Sequence, residues 1–239
     1  MMLKTLIFSL SLIVLPQALL GQEFCDHNAP LSFKKTRDLM LRALAAHEGT
    51  CHEKEESLRK LKKVDLSQQG IQDPSPLRVL EQVEDLNLSN NKIENPHIVF
   101  NLAHLSSLNL SHNPIKKLRV RSLSNIKTLL LDFLGGAKRI GGMRNLSSLK
   151  DLSFRGNKLS SLKVFNEIPQ SLESLDVTHN PLTDAESVIN LANKVNLNFF
   201  LNDHICKSRK VKDNYGIQQG CVQLKKIKSQ KSIKVGNAQ

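Results

Sequence analysis

An eleven-residue pattern, L-x-x-L-x-L-x-x-N-x-L, recurs along most of this chain and constrains its fold more than any other feature. It is plainest as VEDLNLSNNKI from Val83, LSSLNLSHNPI from Leu105, LKDLSFRGNKL from Leu149 and LESLDVTHNPL from Leu172. Weaker copies are LKKVDLSQQGI from Leu61, IKTLLLDFLGG from Ile126 and ANKVNLNFFLN from Ala192. Successive copies start 20 to 23 residues apart, long enough for one turn of a solenoid and too short for a separate domain. One amphipathic helix or strand could imitate a single copy, but not four strong ones at near-constant spacing.

The pattern carries its own physics. In L-x-L, strand alternation turns two leucines inward and the residue between them outward. The Asn three positions later falls at a bend, where its amide both donates and accepts and can satisfy backbone groups that the turn leaves unpaired. Stacked copies then form a parallel sheet on the concave side. The returning segments, such as IENPHIVFNLAH and LSSLKVFNEIPQS, are short and interrupted by Pro96 and Pro169, which predicts brief helical or 3₁₀ turns on the convex side. With no Trp and one Tyr in 239 residues, the core must be aliphatic.

On these residues, and best on IQDPSPLRVLEQVEDLNLSNNKI from Ile71 to Ile93, the chain resembles the leucine-rich-repeat superfamily. Its 22-residue, internalin-like bacterial branch is the most similar. The resemblance covers residues 61–202 and implies an α/β fold, a leucine-rich-repeat solenoid with a curved parallel sheet. It implies binding through the concave face and says almost nothing about the ligand.

A solenoid exposes its core at both ends and needs caps. Residues 22–60 read as a helical N-terminal cap, with Phe33, Met40 and Leu44 on one helix face, Leu41 beside them, and Gly49 placed to end that helix. Thr50-Cys51-His52-Glu53 reads as a capping box opening a second helix. Residues 203–221 read as the C-terminal cap. The four cysteines pair in three possible ways. Seven strands at about 4.8 Å per step set the caps on the order of 30 Å apart, and a disulfide needs Cα atoms within about 7 Å. Local bridges follow, Cys25–Cys51 and Cys206–Cys221, the latter around a loop with Gly216 and Gly220. A metal site lacks CxxC spacing and His pairs, so neither metal nor cofactor is expected.

Residues 1–21 read as a secretory signal, with Lys4, an apolar Leu6–Leu15 run and a small residue, Gly21, before the cleavage point. That run is too short to span a bilayer. The expected location is secreted or periplasmic.

Between the strand leucines the outward column reads Asp65, Asn87, Asn109, Leu130, Ser153, Asp176 and Asn196. Two positions after the second strand leucine stand Gln68, Asn90, His112, Phe133, Gly156, His179 and Phe199. Most of this face is small and polar. The fourth repeat departs from it, with Leu130 and Phe133 outward, Asp132 beside them and Arg155 next along. An apolar anchor ringed by polar groups and an Arg has the composition of a binding hot spot. The same repeat has Leu134 where Asn belongs, and a degenerate turn with its apolar residues tucked inward fits it equally. The partner-facing candidates are Leu130, Asp132, Phe133, Arg155, His112 and His179. The two histidines stand three repeats apart, too far to ligate one metal, and read as surface residues. N-x-S sequons at Asn87, Asn109 and Asn145 arise from the repeat itself.

Formal charge is +12. From Cys206 onward nine Lys or Arg oppose Asp213 alone, so most of the excess lies beyond the repeats, notably in the basic tail 222–239. The near-balanced concave face excludes a nucleic-acid role for the whole domain. No G-x-S-x-G, H-E-x-x-H or G-K-[ST] motif occurs, and no enzyme is expected. The expected function is an extracytoplasmic protein-binding module for adhesion, effector delivery or envelope interaction, acting as a monomer. The alternative is an envelope component that binds an anionic polymer or membrane surface through its tail.

Overall fold

The computed structural model describes residues 24–44, 48–120, 123–135, 140–199, 203–209, 217–219 and 221–222. The predicted signal peptide, Gly216, Gly220 and the basic tail after residue 222 lie outside them.

Seven three-residue strands make one parallel sheet: β1 (Lys63–Asp65), β2 (Asp85–Asn87), β3 (Ser107–Asn109), β5 (Thr128–Leu130), β7 (Asp151–Ser153), β8 (Ser174–Asp176) and β9 (Asn196–Asn198). They pair in chain order and in register, so that Val64, Leu86, Leu108, Leu129, Leu152, Leu175 and Leu197 form one inward column. A second inward column follows two residues later, through Leu66, Leu88, Leu110, Leu131, Phe154 and Val177, all buried. The strands stay short because the chain must bend straight after this second core residue.

The bend is held by asparagine. Asn91, Asn113, Asn157 and Asn180 are all buried. The Nδ2 of Asn91 donates to the carbonyl of Leu66 in the preceding turn (2.8 Å) and to that of Leu88 in its own (2.9 Å). Its Oδ1 accepts from the N–H groups of Gln69 (3.1 Å) and Ile71 (3.0 Å). Asn180 repeats this with the carbonyls of Phe154 and Val177 and the N–H groups of Asn157 and Leu159. Each amide therefore satisfies polar groups of two turns at once in a place water cannot reach.

The fourth turn lacks this device. Leu134 occupies the Asn position fully buried. The neighbours cover the carbonyls it would have served: Asn157 Nδ2 donates to Leu131 O (2.7 Å) and Asn113 Nδ2 to Leu110 O (2.9 Å).

The returns on the other side of the core are mixed. Short 3₁₀ turns occupy Ser75–Val79, Val99–Asn101, Met143–Asn145 and Lys163–Phe165, and the helix α3 spans Ala185–Ala192. The third return is extended instead, as β4 (Leu118–Arg119), and the fourth carries β6 (Ile140–Gly141) just before its 3₁₀ turn; the two pair as a separate two-stranded parallel sheet. Leu118 and Val120 are buried with Arg119 exposed between them, the period of a strand rather than of a turn.

At the N-terminus, α1 (Leu31–Ala43) and α2 (Cys51–Arg59) bury Phe33, Met40 and Leu58 against the first repeat. The helix α1 stops at Ala43, earlier than the predicted end at Gly49. Gly49 adopts φ +106° on the approach to α2 instead. Thr50 and Glu53 form the predicted reciprocal capping box. Cys25–Cys51 and Cys206–Cys221 are bridged, with Cα separations of 5.9 and 5.5 Å.

One register differs from expectation. Leu197 pairs with Leu175 and Asn198 with Asp176, so the last strand sits two residues along from the predicted assignment. Asn198, not Asn196, is the outward residue, and Phe199 takes an inward position, partly buried against the core. A slip of two residues preserves the alternation of faces, so V-x-L and L-x-F read alike in sequence. The choice is made by pairing: Asn198 Nδ2 donates to Asp176 Oδ2 (3.1 Å).

Candidate ligand-binding face

The solvent side of the seven-stranded sheet is built from three columns. The first, between the inward residues, is Asp65, Asn87, Asn109, Leu130, Ser153, Asp176 and Asn198. Here the Asp and Asn side chains close the start of the bend. Oδ1 of Asp65, Asn87, Asn109 and Asp176 accepts the N–H two residues on, from Ser67, Ser89, Ser111 and Thr178, at 2.8 to 3.1 Å. Asn87 Nδ2 also donates to Asp65 Oδ2 (3.1 Å). Asn87 and Asn109 are thus turn residues, and the Asn-Leu-Ser triplets there serve the repeat. The Ser67 N–H holds the Asp65 carboxyl below its ordinary pKa.

Leu130 and Ser153 interrupt this column, and Asp132 compensates. Its N–H donates to Ser111 Oγ (3.1 Å), and its Oδ1 accepts from Ser153 Oγ (2.6 Å) and Arg155 N–H (2.9 Å). The geometry gives Asp132 a positioning task, holding the fourth and fifth turns together.

The column at the bend is Gln68, Asn90, His112, Phe133, Gly156 and His179. All six adopt left-handed backbone, with φ between 52° and 63°. For a bulky residue this costs about 1–2 kcal/mol, and Phe133 at 52° is the bulkiest of the set. The ring it presents is 37% exposed. His112 stacks on it, with ring centroids 4.9 Å apart and planes 16° from parallel. On the other side His179 approaches to 6.0 Å at 57°.

Gly156 makes this stack possible. A Cβ there would fall 2.2 Å from Phe133 Cε1, so the ring lies across the glycine on its way toward His179. Backbone conformation does not require the glycine, because five side-chain-bearing residues share its φ. Only the space matters. Sequence reading placed His112, Phe133 and His179 in one column but missed that the gap at Gly156 joins them. The available signal was a glycine next to an aromatic in a column that otherwise carries side chains.

Leu130 is half-buried beside this stack in β5. Arg155 is likewise half-buried, and its Nε is buried without a hydrogen-bond partner. The six predicted residues therefore fall into an aromatic rail (His112, Phe133, His179), an apolar neighbour (Leu130), a turn brace (Asp132) and a donor (Arg155).

Among the described residues, Cys25, His52 and Glu55 alone bring three metal-type ligands together. Cys25 is committed to its disulfide, which removes the thiolate that a metal would need. No helix among the described residues is long and apolar enough to cross a membrane.

By comparison with known proteins, the Leucine Rich repeat family matches residues 101–117 and 169–185. No curated relative matches the sequence. Among solved structures the chain is similar to internalin C2 of Listeria monocytogenes, at 20% identity over 70% of this chain and 88% of that one, with TM-score 0.47. It is also similar to the internalin inlF of the same organism, at 18% identity over 70% of this chain, with TM-score 0.52. It spans about half of that second structure, 54%. At 18% identity this second likeness speaks for the fold alone.

Proposed function

We propose, for a chain that is a leucine-rich-repeat protein of internalin-like solenoid fold, a role as an extracytoplasmic protein-binding module that uses the face around Phe133. The carrying observation is the exposed Phe133 ring, held between His112 and His179 across Gly156 on a sheet face that is otherwise small and polar. A rigid aromatic on a fixed backbone loses little conformational entropy when it docks, which is why such residues dominate binding hot spots.

The role is binding rather than catalysis, because the polar groups beside Phe133 are engaged in holding turns. Asp132 Oδ1, for one, is shared between Ser153 Oγ and the Arg155 N–H. Two disulfides and the apolar leader support an oxidising compartment. The protein acts as a monomer in this reading.

Phe133→Asp is the direct test, since Asp tolerates left-handed backbone better than Phe and the fold should survive. Immobilised wild type is expected to capture a protein from the exporting organism's envelope in a manner that persists at high salt, and Phe133→Asp is expected to lose it. Equal capture by both would overturn the proposal. Capture that collapses as salt rises would point instead to the basic tail.

A further inference from the structure

A second surface lies on the outer flank of the third to fifth turns, away from the sheet face. The chain leaves the third bend as Lys116-Lys117 and enters β4, whose neighbour β6 supplies Ile140 and Gly141 to the floor of a cleft of about 1060 Å³. Gly141 presents no side chain, and a Cβ there would only touch Arg119 at 3.5 Å. The opposite wall comes from the fifth turn, from Lys158 to Val164.

Among the described residues five cations line this cleft, Lys116, Lys117, Arg119, Lys158 and Lys163, and no acidic residue does. All five are exposed. Among the described residues only Lys163 of the five has an ion-pair partner, Asp184 at 3.5 Å. Elsewhere on the solenoid three exposed cations are matched by acids one turn on, Lys62 with Glu84 (2.8 Å), Arg144 with Glu167 (2.6 Å) and Lys150 with Glu173 (2.9 Å), whereas here four of the five have no such match. Like charges gathered into a recess raise its potential and repel one another until an anion enters.

We infer that this cleft binds an acidic polysaccharide, a chain of sugars carrying sulfate or carboxylate groups. The cations stand on the third and fifth turns with the fourth as floor between them, a spread that fits an extended ligand with repeated charges. Ser160 in the wall offers a hydroxyl for a sugar hydroxyl, while that of Ser161 donates to Asp184 (2.8 Å). Among the described residues no lining residue is aromatic, so unpaired bases would find nothing there on which to stack. The site is recessed, whereas a flat bilayer surface is met by a protruding amphipathic or polybasic segment. The inference does not depend on the Phe133 face.

Titration calorimetry of the full chain with a heparin-derived octasaccharide as probe tests the assignment. Two multiple variants separate cleft from tail: Lys116→Gln with Arg119→Gln and Lys158→Gln, and Lys225→Gln with Lys226→Gln and Lys228→Gln. The cleft variant is expected to weaken binding by roughly tenfold or more and to flatten its salt dependence, and the tail variant to change it by less than about threefold. Lys117 and Lys158 should also be protected from acetylation by the bound probe in wild type. Unchanged affinity in the cleft variant, or loss confined to the tail variant, would overturn the inference. So would tighter binding of an equally charged single-stranded oligonucleotide or of phosphatidylserine vesicles.

Discussion

Gly156 shows how much one missing side chain can organise. Gly156→Ala leaves a backbone conformation that Gln68, Asn90, His112, Phe133 and His179 already adopt with side chains, so the fold should persist with a loss of about 1–2 kcal/mol. The ring of Phe133 must swing away, however, because the new methyl would overlap it. Partner capture should therefore fall as it does in Phe133→Asp. In the Phe133→Ala background the glycine substitution should have no further effect on capture, and a double-mutant cycle checks this. Asn157 is the opposite case. Its amide donates to Leu131 O and Arg155 O and accepts from Leu134 N–H, all at the break in the asparagine column. Asn157→Ala should cost more than about 3 kcal/mol in urea unfolding, since several buried backbone groups lose partners together. The Asn position was legible in sequence because it recurs with the repeat. The role of Gly156 was not, because it depends on which way a ring in the neighbouring turn lies.

Among the elements, α2 owes its start to a charge. Thr50 N–H donates to Glu53 Oε2 (2.6 Å), and Thr50 Oγ1 accepts from Glu53 N–H. The backbone bond from Thr50 holds the Glu53 carboxyl below its ordinary pKa. A group whose pKa is depressed on folding adds stability above its unfolded pKa, and that contribution is lost as pH falls through the folded value. Wild type should thus melt higher than Glu53→Gln at neutral pH, with the gap closing below the carboxylate range, as thermal melts across pH would show. A gap independent of pH would remove the charge from the explanation. The capping box was readable because its four-residue signature is local. The small β4–β6 sheet was not, because two-residue strands leave no periodic trace, and the last strand was misregistered by two because alternation cannot sense that shift.

At the scale of the whole molecule, the two disulfides fasten the ends, over sequence separations of 26 and 15 residues. Replacing Cys25 and Cys51 together by Ser should lower unfolding free energy by about 3 kcal/mol, read from the urea midpoint, and should loosen the first repeat before the rest. Between the caps, cohesion is a nearest-neighbour matter, with each turn tied to the next by strand pairing and, through Asn91, Asn113, Asn157 and Asn180, four of the junctions also by a shared asparagine. Leu134 removes the second kind of tie at one point. Ile115 N–H, which an amide oxygen of the next turn would otherwise receive, finds only the carbonyl of Asn113 two residues back (2.8 Å). Mechanically, the stack is two shorter columns joined at a seam. Amide exchange should then report two cooperative blocks, turns one to three and turns four to seven, rather than one. The Phe133 rail crosses that seam from His112 to His179, so a ligand seated on it would splint the two blocks and make them open as a unit.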